Sequence, residues 1–111
     1  MKRIGYAERD FGTDDHLADL VLEYAALLAR SNSADTVTIP GRFGTGEVEE
    51  ISLLIGPASQ ITAWPVADEF GGDVRAATAD LEGRIRRMSS SIGSSTDGLG
   101  PARIDDFDEL A

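Results

Sequence analysis

Asp14-Asp15-His16-Leu17-Ala18-Asp19-Leu20-Val21-Leu22-Glu23-Tyr24-Ala25-Ala26-Leu27-Leu28-Ala29-Arg30 is the stretch from which the fold is read. Leu17, Leu20, Val21, Tyr24, Leu27 and Leu28 recur at helical spacing, and Ala18, Ala25, Ala26 and Ala29 add propensity. Thr13 or Asp14 suits the N-cap, where a side-chain oxygen accepts from a free amide of the first turn. Asp14 and Asp15 stand where the helix dipole favours negative charge. The pattern stops near Arg30, at Ser31-Asn32-Ser33.

Upstream, Arg3 to Glu8 reads as a short strand with Ile4 and Tyr6 on one face, after which Asp10-Phe11-Gly12 is expected to turn the chain. Downstream, Thr36-Val37-Thr38-Ile39 alternates β-branched residues and ends at Pro40. Glu47 to Ile55 forms the longest strand, with Ile51, Leu53 and Ile55 on one face and Leu54 on the other. Gly56-Pro57-Ala58-Ser59 turns the chain into Gln60 to Val66, which predicts a hairpin over 47–66. Its second face carries Leu54, Thr62, Trp64 and Val66.

A second helix is expected after Gly71-Gly72, with Asp73 as N-cap and Val74, Ala77, Leu81, Ile85 and Met88 as its apolar stripe. Asp80 with Arg84 and Glu82 with Arg86 are four apart with the acid first, the favourable order. The expected order is β-α-β-β-β-α, an α+β fold with both helices on a small antiparallel sheet. A Ser/Gly-rich stretch begins at residue 89, so the folded unit is placed at 1–88. Residues 89–111 are read as a flexible linker and acidic tail.

The 111 residues carry 20 acids against 10 bases, a formal charge of -10, with a hydrophobic fraction of 41% that suffices for a core. Five acids and one base fall in 89–111, so the tail holds -4 of that charge and the folded unit -6. The absence of cysteine excludes disulfides, Cys-based zinc sites and a thiol nucleophile. A single histidine removes most Ser–His–Asp and metal schemes. No run approaches the ~18 apolar residues of a membrane span, and acids rather than an apolar segment follow Met1-Lys2-Arg3-Ile4-Gly5. A cytoplasmic protein is therefore expected. Nine of the ten bases are arginine, the bias of a GC-rich bacterial or phage genome.

Net negative charge opposes binding to nucleic acid and anionic lipid, and favours a basic protein partner. Asp15, Asp19 and Glu23, four apart, form an acidic stripe with no base inside it to offset the repulsion. It has three readings: a solvated face, a partner for Arg84, Arg86 and Arg87 within or between subunits, or a docking surface for a basic protein. Glu47, Glu49 and Glu50 extend the acidic surface. Leu54, Trp64 and Val66 are either ordinary core or, if exposed, the interface of a homodimer. In the tail, Ile104, Phe107 and Leu110 alternate with acids, spaced for an amphipathic turn or an extended peptide in a groove.

Chemistry is poorly provided for. Gly41-Arg42-Phe43-Gly44-Thr45-Gly46 has the composition of a phosphate cradle, but acids in a β-like run follow it where a helix N-terminus is needed. His16 lies among Asp10, Asp14, Asp15 and Asp19 without the spacing of a calcium loop, and one imidazole is little for zinc. Ser59 lacks a nucleophile elbow. Tyr6-Ala7-Glu8-Arg9-Asp10 matches a Tyr-x-x-x-Asp export string, which belongs after a helical hairpin and here begins a strand. The expected function is a non-enzymatic, acidic interaction module of the inhibitor, immunity-type, anti-defence or adaptor kind, binding a basic protein without metal or cofactor. A structural homo-oligomer and a small-ligand or enzyme domain using the Gly41–Gly46 loop are the alternatives.

Overall fold

The computed structural model describes residues 1–97, with side-chain surroundings through residue 90. The tail motif of Ile104, Phe107 and Leu110 lies outside the described residues. The chain forms β1 (Lys2–Tyr6), β2 (Arg9–Thr13), α1 (Asp15–Arg30), β3 (Asp35–Gly41), β4 (Glu49–Ile55), β5 (Ile61–Pro65) and α2 (Arg75–Asp97). Among the described residues the fold is α+β, with antiparallel strands and two helices, and has one strand more than the expected order.

That additional strand is β2. Asp10, Phe11 and Gly12 do not turn the chain; they pair with Gly5, Ile4 and Arg3 of β1. The reversal occurs at Ala7-Glu8, with Ala7 at φ 57. A left-handed alanine in a tight hairpin carries no glycine or asparagine signal to betray it.

A second departure concerns the expected 47–66 hairpin, which does not form. β4 pairs with β3, from Asp35↔Ile55 to Gly41↔Glu49, and β5 pairs with β1 on the side away from β2. The Gly56–Ser59 turn does close, through Ser59 N–H to the Gly56 carbonyl at 3.1 Å and Gly56 N–H to Ser59 Oγ at 2.9 Å. Turn chemistry reverses the chain without choosing its partner. Val37 and Ile39 alternate in phase with Ile51, Leu53 and Ile55, so β3 beside β4 buries all five. Gly5 has no side chain on the outer face of β1, and this admits the Trp64 ring: a Cβ there would stand 3.2 Å from it.

The three-stranded sheet β2-β1-β5 and the two-stranded sheet β3-β4 are joined where Gly12 and Arg42 exchange backbone hydrogen bonds of 2.8 and 2.9 Å. Beside this junction Thr13, wholly buried, donates from Oγ1 to the Pro40 carbonyl at 2.8 Å. Gly41 is packed between Phe11 and Ile51, each within 2.7 Å of where a Cβ would stand.

α1 starts as its sequence predicts, with Asp14 as N-cap accepting from Leu17 N–H at 3.1 Å. It ends on Asn32 in the left-handed region (φ 53). Asn32 N–H donates to the Ala29 carbonyl and Ser33 N–H to the Leu28 carbonyl, closing a Schellman cap. Leu17, Leu20, Val21, Tyr24, Leu27 and Leu28 are all buried. α2 packs mainly on α1 and touches the sheets at β3, rather than lying on the sheet as expected. Its buried stripe centres on Leu81 and Ile85. Asp73 accepts from Arg75 N–H at 3.1 Å just before the helix, and the adjacent guanidinium holds its carboxyl at about 2. The helix runs on from Ser89 to Asp97, beyond the stripe that ends at Met88. No helix among the described residues is long and apolar enough to cross a membrane.

Candidate functional site

The acidic stripe of α1 is only partly available to another molecule. Asp15 Oδ1 lies 3.1 Å from the α-ammonium of Met1, and Asp19 Oδ1 lies 2.7 Å from Lys2 Nζ. The bond to Asp19 raises the Lys2 pKa. Two cations at the head of β1 thus relieve the like-charge repulsion on α1, where sequence spacing alone offered no relief. Glu23 is exposed and has no cation beside it among the described residues.

Arg84 turns elsewhere. Its guanidinium contacts Asp35 at 2.7 Å, Asp80 at 3.1 Å and the Thr36 carbonyl at 3.0 Å. Asp35 also accepts from Tyr24 Oη at 2.5 Å, tying α1, β3 and α2 together. The Tyr24 bond, then the Thr36 amide and Arg84, hold the Asp35 carboxyl below its ordinary range against the opposing effect of burial. Glu82 contacts His16 Nε2 at 3.3 Å, not Arg86 as its spacing predicts. Arg86 and Arg87 are exposed and make no ion pair with the stripe.

Glu47, Glu49 and Glu50 remain. All three are exposed, as is Val48 between them, and no cation pairs with any of the acids among the described residues. They lead into β4, whose far edge has no strand beside it among the described residues. Tyr6 reaches from β1 and donates its hydroxyl hydrogen to the Leu54 carbonyl. A cavity of about 240 Å³ lies between Ile51–Leu53 of β4 and the β1–β2 hairpin, with Tyr6, Ala7, Arg9, Phe11 and Phe43 completing its wall. Phe43 meets Phe11 edge-on at 6.1 Å, and the Arg9 guanidinium sits 4.3 Å above the Phe43 ring. The sequence gives no sign of this groove, because it is built by a strand pairing that local patterns do not specify.

Other singled-out residues have structural duties. The Gly41–Gly46 loop runs into a strand, and its Arg42 donates from Nη2 to Met1 Sδ at 3.6 Å. Ser59 Oγ is occupied in its turn. Asp10 pairs with Arg3 at 2.7 Å, and Tyr6 to Asp10 form the β1–β2 hairpin. No three metal-ligating side chains converge among the described residues. A second cavity, of about 270 Å³, is lined by Met1, Asp14, Asp15, Glu69 and Phe70–Gly72. Leu54 is 62% exposed on β4 and Trp64 39% exposed on β5. With the 47–66 hairpin absent, Leu54 belongs to one sheet while Trp64 belongs to the other, with Val66 just past its β5 edge. Comparison with protein-family models, curated proteins and solved structures finds no match.

Proposed function

We propose that this chain is a non-enzymatic interaction module that engages a basic surface on another protein. The observation behind this reading is the run Glu47-Val48-Glu49-Glu50, four consecutive exposed residues with three carboxylates and no internal cation. Acids whose charge is already answered inside the molecule, such as Asp15 and Asp19, add to the long-range field. The unanswered ones, with Glu23, are free to pair with a partner's Lys and Arg. An apolar residue among acids adds buried contact to steering, and docking there would occlude the partner's basic face.

Affinity capture from the native cell, comparing the natural chain with the E47K/E49K/E50K variant, tests the reading. A basic protein recovered by the first and lost with the second is the expected result, with circular dichroism and melting temperature unchanged. An identical set of proteins recovered by both chains would refute it. The homo-oligomer reading has one observation in its favour, the exposure of Leu54 and Trp64. Light scattering on the eluting protein decides it.

A further inference from the structure

Resting on that reading, we propose how the partner docks: a basic, extended segment of it adds as a strand to the free edge of β4. The register shows which backbone groups are available. Arg42 spends both its N–H and its C=O on Gly12, so Gly41, one residue back, points to β4. Alternation along an antiparallel ladder then makes Gly41↔Glu49, Ile39↔Ile51, Val37↔Leu53 and Asp35↔Ile55 the hydrogen-bonded pairs. The amides of Glu50, Ser52 and Leu54 therefore face away from β3. Tyr6 occupies the Leu54 carbonyl. The three N–H groups and the carbonyls of Glu50 and Ser52 have no protein partner among the described residues.

The remaining edges are interrupted rather than continuous. On the outer side of β3, Arg84 takes the Thr36 carbonyl, Thr13 takes the Pro40 carbonyl, and Pro40 has no N–H to offer. The outer edge of β2 is engaged by Arg42. Val66 N–H donates to the Met1 carbonyl, so by the same alternation Ile61, Ala63 and Pro65 face outward on β5, where Pro65 ends the row of donors. Proline, charge and coverage are the usual means of blunting an edge. On β4 only charge is used, and all of it is negative.

That charge selects the occupant. Two copies pairing through β4 would bring together two chains of net charge -10 and their Glu47–Glu50 segments. A Lys- and Arg-bearing strand meets Glu47, Glu49 and Glu50, while Arg9 on the cavity wall is stacked on the Phe43 ring. Successive side chains of an added strand point to opposite faces. One set enters the cavity beside Ile51 and Leu53, which suits apolar side chains, and the other lies on the exposed face beside Glu50, Ser52 and Leu54. The segment that fits alternates apolar and basic residues.

The probe is an octapeptide of alternating lysine and valine, titrated into the isotope-labelled full chain while amide hydrogen exchange is followed residue by residue. A matched peptide with alternate amides N-methylated serves as control. Exchange at Glu50, Ser52 and Leu54 is expected to slow by roughly tenfold or more with the first peptide and not with the second. Peptide binding that weakens in E47K/E49K/E50K without slowed exchange at those amides would overturn strand addition and leave the acidic-surface reading standing. No binding by either peptide would overturn both. Slowed exchange without peptide, rising with protein concentration alongside a doubled mass, would give the edge to a second copy and overturn the proposal.

Discussion

On the Asp35 carboxylate the Tyr24 hydroxyl, the Arg84 guanidinium and the Thr36 amide converge, at 2.5, 2.7 and 2.8 Å. Hydrogen bonds to an ionised group are worth about 1.5–3 kcal/mol each when sheltered. Here the carboxylate is 36% exposed, so solvent screens part of that. Asp35→Asn is expected to lower stability by about 1–2 kcal/mol, read by urea denaturation at pH 7. The sign with pH follows from the depressed folded pKa. The stabilisation is complete well above the unfolded value of 3.8 and drains away as pH falls through the lower folded value. The natural chain should therefore lose stability steeply in that acid range, and the Asn variant should show a shallower acid limb.

At the scale of elements, what the sequence reveals depends on how local the determinant is. α1 is legible from end to end because its cap, apolar face and dipole-compatible acids all act within a turn or two. The alternation of β3 and β4 likewise shows which residues are buried, and Ile51, Leu53 and Ile55 are. Pairing partners are not local: β1 meets β5 across 62 intervening positions at Lys2↔Pro65 and 60 at Arg3↔Trp64, so no short motif encodes either. The acids of Glu47–Glu50 are visible as charge, but the edge they flank depends on a pairing that no local pattern encodes. Asp15 and Asp19 are visible too, whereas their neutralisation by Met1 and Lys2 is not. The β1–β2 turn escapes because alanine fills a position that glycine would advertise. Ala7 at φ 57 carries a steric cost that glycine lacks, partly offset by glycine's freer unfolded chain. Ala7→Gly should raise stability by roughly 0.5 kcal/mol, measured by thermal or urea unfolding.

Across the whole molecule, surplus negative charge works in two directions. It accelerates encounter with a cationic partner, and it strains the folded chain by self-repulsion. Among the described residues seven acids are held by internal cations or by His16, Asp10, Asp15, Asp19 and Asp35 included, which limits the strain to the carboxylates left over. Raising ionic strength from about 0.01 to 0.15 M shortens the screening length from about 30 to 8 Å. The melting temperature of the free protein should rise over that interval while its association rate with a basic partner falls, as scanning calorimetry and stopped-flow mixing would record. A melting temperature that drops with salt would mean that the internal ion pairs outweigh the repulsion.

The central position of β1 also bears on biosynthesis. Its hairpin with β2 closes from neighbouring residues, so it can pair once Thr13 has left the ribosome. Its opposite flank stays unsatisfied until Ile61–Pro65 emerge. Across that delay the nascent polypeptide exposes the middle of its own sheet, an edge open to mispairing until the last strand arrives.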